Sequence, residues 1–184
     1  GLTNLHHLDL WGSDITNEGV DTLVKFPNLK FLNIAWTKVT ILPNIPSITL
    51  LNMSNCTIHS IFKEDSNPNN KKAPFLKNLI LSGTSIKNIT NAFSYFNPIN
   101  LSLLHLSNSS IHDLSFLPQM QTLQHLDLSG NLIGDDSIEF IASIGANLET
   151  LNLTNTRVTS AGVSILPGNF PKLEKNLVIF HTNR

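Results

Sequence analysis

Residues 5–15, "LHHLDLWGSDI", form one copy of a pattern that returns along the whole chain. Each copy has apolar residues at positions 1, 4, 6 and 11, and Ser, Thr, Cys or Asn at position 9. The seven copies begin at Leu5, Leu29, Ile48, Leu76, Leu101, Leu123 and Leu148. The shortest spacing between starts is 19 residues and the longest is 28. Self-similarity with a period of this length indicates an architecture of stacked repeats.

Alternation within each copy predicts a short strand over positions 3 to 7. Side chains of a strand point alternately to its two faces, so Leu8 and Leu10 point inward while His7, Asp9 and Trp11 point outward. The small polar residue at position 9 stands where the chain leaves the strand. We expect its side chain to bond backbone groups that the turn leaves unpaired.

The segments that return from one strand to the next are of mixed type. Residues 15–28, 133–147 and 158–172 carry apolar residues at helical spacing and predict helices. Residues 39–47 are too short and rich in proline for a helix, and residues 111–122 predict a turn or short 3₁₀ helix. Residues 60–74, with Asn67, Pro68, Asn69 and Asn70, predict an inserted solvated loop.

Over nearly its whole length the pattern resembles the leucine-rich-repeat superfamily. The stretches "ITNEGVDTL" and "VTSAGVSIL" resemble plant and ribonuclease-inhibitor-like members. This resemblance implies one α/β domain over residues 1–184, a horseshoe-shaped solenoid with a concave parallel β-sheet and a mixed helical and irregular convex side. It implies seven repeats and a degenerate C-terminal unit, which should begin at Leu173 but has Asn176 at its fourth position, where the pattern breaks or slips by one residue.

Composition excludes several classes of function. The formal net charge is −1, and Lys71–Lys72 is the only adjacent basic pair, so we expect no nucleic-acid partner. No apolar run is long enough to insert into a membrane. One cysteine, Cys56, allows no internal disulfide and no cysteine-rich zinc site. No motif predicts a cofactor.

The cellular compartment is not determined, although the sequence favours an intracellular origin over a secreted one. The single cysteine weakly favours a reducing compartment. Six Asn-x-Ser/Thr sequons argue the other way, but Asn, Ser and Thr are so abundant here that most would arise from composition.

Outward-pointing residues provide the candidate binding surface. Near the N-terminal end these are His7, Trp11, Phe31, Asn33 and Trp36. Exposed aromatic side chains on a concave sheet are unusual without a partner, and tryptophan is enriched at binding hot spots. The alternative interpretation is that both tryptophans pack on neighbouring repeats, or lie under a repeat that precedes this sequence.

A second candidate surface is polar. His105 and Asp127 share a column and should be neighbours, close to His125 and Ser107. Ser, His and Asp together invite a hydrolase interpretation. We reject it, because a concave sheet offers neither a deep pocket nor oxyanion donors. A metal site is also rejected, since the ligand set is incomplete.

The sequence therefore predicts a non-enzymatic scaffold that recognises a protein partner through its concave face. The alternative is a fragment of a receptor-type ectodomain that binds a ligand or a pathogen product. The apolar residues 177–180 predict an edge strand that can pair with another chain, so we expect either a homodimer through one end of the solenoid or a fragment of a longer protein.

Overall fold

The structure is a computed structural model that describes residues 2–59, 73–86, 89–94, 100–168, 170–173 and 178–179. Its strands form one parallel sheet in which every strand pairs with its neighbours in sequence. The strands are β1 (His7–Asp9), β2 (Phe31–Asn33), β3 (Leu50–Asn52), β4 (Asn78–Ile80), β5 (Leu103–His105), β6 (His125–Asp127), β7 (Thr150–Asn152) and β8 (Val178–Ile179). We number the seven repeats rung 1 to rung 7.

The strand register aligns equal positions of all seven repeats. Leu8 lies opposite Leu32, and the same fourth position continues through Leu51, Leu79, Leu104, Leu126 and Leu151. From rung 2 onward these leucines are at most 2% exposed, whereas Leu8 is only partly buried. A continuous column of buried leucines therefore forms the core, as the repeat pattern predicts.

The strands are shorter than predicted, but the pairing between rungs is not. Each of the first seven strands covers only positions 3 to 5 of its repeat. Hydrogen bonds between rungs continue beyond the strand, from the Leu10 amide to the Asn33 carbonyl (2.8 Å) and from the Gly12 amide to the Ala35 carbonyl (2.9 Å). The chain begins to turn at position 7 while its backbone groups still bond the next rung.

Six of the seven position-9 side chains form the hydrogen bonds that the sequence predicts, whereas the Ser13 hydroxyl of rung 1 is buried without a partner. Thr37 and Thr156 each donate a hydroxyl hydrogen bond of 2.7 Å to the position-6 carbonyl of their own rung. Ser109 reaches back to the Leu81 carbonyl of the preceding rung at 3.0 Å. Asn131 is the most connected member, because its amide bonds both its own rung and rung 5. In rungs 3, 5 and 6 the position-9 side chain therefore also ties the turn to the rung before it.

Position 8 adopts the left-handed backbone conformation in every rung, which the sequence analysis did not predict. Glycine or asparagine occupies it in six rungs, and these are the residues that tolerate a positive φ best. The seven residues are Gly12, Trp36, Asn55, Gly83, Asn108, Gly130 and Asn155, with φ between 51° and 71°. At two places an asparagine packs against the glycine of the next rung, so that a Cβ added at Gly130 would collide with Asn108 Oδ1.

Gly130→Ala is expected to lower the free energy of unfolding by about 2–3 kcal/mol, through left-handed strain plus the collision with Asn108. Gly12→Ala is the matched control, because Gly12 has φ +67° but nothing within 4 Å of an added Cβ. We expect this control to lose only about 1 kcal/mol. Urea unfolding measures both, and Asn108→Gly should restore most of the difference; equal losses for both alanines would contradict this account.

Short helices lie on the side opposite the sheet. They are α1 (Asn17–Asp21), α2 (Ile89–Ser94), α3 (Ile138–Ala142) and α4 (Ser160–Ser164), with 3₁₀ helices at Thr22–Lys25, Leu117–Gln119, Asp135–Ser137 and Leu166–Gly168. Helices were predicted in three of these return segments and a 3₁₀ turn in residues 111–122. The prediction missed α2, which buries Ile89 and Phe93 against the core.

Some polar residues of the return segments bond the next rung and fix how the segments stack. The Asn17 carboxamide oxygen accepts hydrogen bonds from the Thr40 and Ile41 amides at 2.9 and 3.3 Å. Asp135 likewise accepts from the amide and the hydroxyl of Thr159. The convex side is therefore held by contacts between repeats as well as by core packing.

The C-terminal unit pairs in a different frame from the one expected. Val178 lies opposite Leu151, so it occupies position 4 of an eighth rung. A unit that began at Leu173 would place Asn176 there, so the frame slips by two residues rather than one. Of the predicted inserted loop, residues 60–72 lie outside the described part of the chain.

Candidate functional site

The two tryptophans of the chain are exposed on adjacent rungs. Trp11 is 63% exposed and Trp36 is 60% exposed, the largest apolar side chains that the described residues leave in solvent. Both lie in the turns that follow β1 and β2, at the carboxyl edge of the sheet and not within the strands. The amide of Gly12, which follows Trp11, donates a hydrogen bond of 2.9 Å to the carbonyl of Ala35, which precedes Trp36. The two residues are thereby fixed side by side.

Trp36 occupies a backbone conformation that suits its side chain poorly. It stands at position 8 with φ +57°, where the other rungs have glycine or asparagine. A bulky residue in this region is an outlier, and the strain costs about 1–3 kcal/mol. Because most of the indole is in solvent, burial returns little of this cost. Such strain in an exposed residue points to a role other than stability.

We expect Trp36→Gly to raise the free energy of unfolding by about 0.5–1 kcal/mol, because it removes the left-handed strain. Urea unfolding followed by far-ultraviolet circular dichroism measures the change. Trp36→Asn, which copies Asn55 of rung 3, should give a smaller gain in the same direction. A loss above about 1 kcal/mol would mean instead that the indole packs on its neighbours and stabilises the fold.

His7 and Phe31 form the second aromatic feature of rungs 1 and 2. They occupy position 3 of adjacent strands, and their rings stack with centroids 3.8 Å apart and planes within 8°. Asp9 lies between this pair and Trp11 on the outward face of β1. The four aromatic residues His7, Trp11, Phe31 and Trp36 are called the aromatic patch below.

Two of the predicted site residues have a structural role that the sequence analysis missed. Asn33 and Asp127 stand at position 5, where the side-chain oxygen accepts a hydrogen bond from the backbone amide two residues later. Asp9, Asn52 and Asn152 do the same. Recurrence of Asp or Asn at position 5 was the available signal, since these side chains form such turns. Asn33 and Asp127 therefore stabilise the turn that follows their strands.

The polar surface of rungs 5 and 6 is also organised by the repeat. His105 lies opposite Asp127 in the register, as the alignment predicts. Asp127 Oδ1 accepts hydrogen bonds from the amide (2.9 Å) and hydroxyl (2.7 Å) of Ser129, and the His125 Nδ1 lies 2.9 Å from the Thr150 hydroxyl. Burial lowers the pKa of His105, Asp127 opposes this shift, and His125 adds to it. The net shift favours the uncharged form of the His105 imidazole.

Among the residues that the structure describes, no cluster of three or more His, Cys, Asp or Glu side chains could hold a metal ion. Cys56 is buried as a free thiol.

A shallow cavity of about 210 Å³ lies on the convex side, between Ile86, Thr90 and Asp113. The Asp113 carboxylate accepts hydrogen bonds from the Thr90 hydroxyl and the Ser115 amide. These bonds give it a structural role between α2 and the turn at Ser115. Within the described ranges, every helix is too short or too polar to cross a membrane.

Comparison with known proteins identifies the repeat. The model of the leucine-rich-repeat family matches residues 1–24 and 119–142, which contain the repeats at Leu5 and Leu123. An internalin from Listeria monocytogenes superposes on 99% of the chain with a TM-score of 0.72 and 22% identity. The fold is that of a leucine-rich-repeat solenoid. No curated protein matches the sequence.

Other leucine-rich-repeat structures show the same fold. A protein of Leptospira interrogans matches with a TM-score of 0.69 and 22% identity over 94% of this chain. A chain of the octameric complex of Latrophilin 3, Unc5D and FLRT2, in which FLRT2 supplies the leucine-rich repeats, matches with a TM-score of 0.62 and 14% identity over 97%. The chain spans 49% of the internalin, 43% of the Leptospira protein and 60% of this third chain. The finer resemblance to plant and ribonuclease-inhibitor-like repeats stays a prediction from the sequence.

Proposed function

We propose that this leucine-rich-repeat chain is a non-enzymatic scaffold that recognises a protein partner through the concave face of its sheet. The observation that carries the proposal is the aromatic patch, with its two largely exposed indoles on adjacent rungs. Tryptophan is among the residues that contribute most to protein interfaces. The strain at Trp36 supports the same conclusion, because a stable fold alone would favour glycine there.

The rest of the concave face suits a protein interface. Along the outward strand positions and the turn that follows them, most side chains are small or polar, and parallel stacking keeps them in straight columns. A solenoid of this kind presents a broad and rigid surface, so little conformational entropy is lost on binding. His105 and Asp127 would form the polar part of the contact, about four rungs from the aromatic patch.

A structural neighbour is consistent with this role. In a solved structure that contains its leucine-rich repeats, FLRT2 forms a complex with Latrophilin 3 and Unc5D. At 14% identity the similarity is one of fold, so it supports the type of surface and names no partner for this chain.

The test is affinity capture from an extract of the source organism, with wild type compared with a Trp11→Ser, Trp36→Gly double variant. Both substitutions copy residues that other rungs have at the same positions, such as Ser54 and Gly83, so the fold should be kept. The matched control is Val24→Ser with Leu132→Ser, which removes exposed apolar side chains (52% and 62%) outside the sheet face. We expect partner proteins to bind wild type and control alike.

Capture by the tryptophan variant should fall by about tenfold or more, as for the loss of interface hot spots. A His105→Asn variant, which copies the asparagine of other rungs at position 5, tests the polar end separately. The proposal fails if the tryptophan variant captures the same proteins in the same amounts as wild type.

A further inference from the structure

We propose that Trp11, Trp36 and Asp9 together form a binding site for a cationic side chain, arginine or lysine, of the protein partner. The proposal rests on the proposed function and adds the chemistry that the partner must present.

The two indoles stand on adjacent rungs, Trp11 at position 7 and Trp36 at position 8. Their backbones are joined by the hydrogen bond between the Gly12 amide and the Ala35 carbonyl, and neighbouring rungs are about 4.8 Å apart. Both rings are more than half exposed. Tryptophan is the aromatic residue that binds cations best through its π face, and a guanidinium can also stack flat on the ring.

Asp9 supplies a negative charge next to the indoles. It is exposed on the outward face of β1, and its Oδ1 accepts a hydrogen bond of 3.0 Å from the Trp11 amide. Asp9 precedes Trp11 by two residues, and this bond fixes its carboxylate beside the Trp11 backbone. The nearby Asp14 and Lys38 side chains form an ion pair of 2.8 Å, so Lys38 brings no net positive charge to the site.

The concave face as a whole favours a cationic ligand. The outward columns at positions 3, 5, 7 and 8 hold two carboxylates, Asp9 and Asp127, in the seven rungs. None of the 12 lysines and arginines of the chain lies in these columns. A positively charged segment that approaches these columns therefore meets two carboxylates and no lysine or arginine.

Backbone strain indicates which residue the site depends on. Glycine at position 8 would relieve the left-handed conformation and would leave Trp11 alone, with one aromatic face. With tryptophan at position 36, the site has two aromatic rings. We therefore expect Trp36 to contribute to cation binding at the expense of stability, so that Trp36→Gly gives a more stable protein that binds more weakly.

The first experiment uses a displayed library of random peptides of about 12 residues, which is long enough to span several rungs. Peptides that bind the Trp11→Ser, Trp36→Gly variant are removed first. Binders to the wild-type chain are then selected from the remainder. We expect the enriched peptides to share an arginine or lysine. One such peptide is then synthesised with arginine and with citrulline, which has the same shape without the charge. Because Trp11 and Trp36 are the only tryptophans, intrinsic fluorescence reports binding at this site directly.

The arginine peptide should bind about threefold to thirtyfold more tightly than the citrulline peptide, which is the sum of one exposed cation–π contact and one exposed ion pair. Asp9→Asn is the matched variant, since asparagine at position 5 keeps the turn in other rungs, as at Asn33 and Asn52. It should weaken the arginine peptide by about twofold to fivefold and leave the citrulline peptide unchanged. Added salt should weaken only the arginine peptide.

Different outcomes separate the two proposals. If peptides depend on the tryptophans but show no preference for a cation, the cation site is refuted while recognition through the concave face stands. Equal binding of the arginine and citrulline peptides has the same meaning. If no enriched peptide depends on the tryptophans, the cation site is refuted, and affinity capture alone decides whether the aromatic patch binds a protein.

Discussion

Replacing Asn131 with alanine is expected to lower the free energy of unfolding by about 3–5 kcal/mol. The Asn131 side chain is 1% exposed and lies at the turn between rungs 5 and 6. Its oxygen accepts hydrogen bonds from the Ser109 and Ile111 amides at 3.0 and 2.9 Å. Its nitrogen donates to the Leu106 and Leu128 carbonyls, both at 2.8 Å.

The size of this effect follows from what alanine leaves behind. Two backbone amides and two carbonyls lose a partner in a place that water does not reach, and each buried unpaired group costs about 1–3 kcal/mol. Relaxation of the turn would recover part of this sum. Urea unfolding with linear extrapolation, checked for two-state behaviour, measures the change.

Two variants give the scale for Asn131→Ala. Asn131→Ser, which copies Ser109 at the same position, keeps one donor and should lose less. Thr156→Val removes the 2.7 Å hydrogen bond to the Leu153 carbonyl and a longer one, 3.4 Å, from the Val158 amide, and should cost about 1 kcal/mol. If Asn131→Ala costs no more than Thr156→Val, the asparagine is not the main connection between the turns.

The second large effect is expected for Leu126→Ala, with a loss of about 2–5 kcal/mol. Leu126 is 2% exposed and pairs in the register with Leu104 on one side and Leu151 on the other. Removing it opens a cavity in the middle of the leucine column. The neighbouring rungs are held by their own strand pairing, so we expect them to fill the cavity only in part.

Leu132→Ala is the control for Leu126→Ala, because Leu132 lies in the same rung but is 62% exposed. Its stability should change by no more than about 0.5 kcal/mol. Both are measured by urea unfolding under identical conditions. Similar losses for the two leucines would contradict the placement of Leu126 in the core.

The core and the sheet could be predicted because a repeat makes each position visible seven times. Leu8, Leu32 and Leu51 share a column because their positions in the pattern are equal, and the register confirms this alignment. The role of position 9 followed from the same reasoning. By contrast, α2 was missed, since Ile89 and Phe93 form a helix in a return segment that no other repeat resembles.

The candidate site was predicted in part. The sequence placed His105 beside Asp127, and the register does the same, while the register also pairs His7 with Phe31. It gave no indication that Asn33 and Asp127 hold their turns through side-chain hydrogen bonds. Binding by any of these residues, and association through one end of the solenoid, stay predictions.

The sequence by itself determined the repeat, the order of the strands and the side chains that face the core, because apolar spacing reports burial directly. Only the tertiary structure decided the conformation of position 8 and thereby the meaning of Trp36. A left-handed residue is identified by its backbone angle, here φ +57°. Glycine or asparagine at position 8 of the other six rungs is compatible with a positive φ, but a tryptophan gives no such indication, so the strain beneath this exposed indole becomes visible only in the structure.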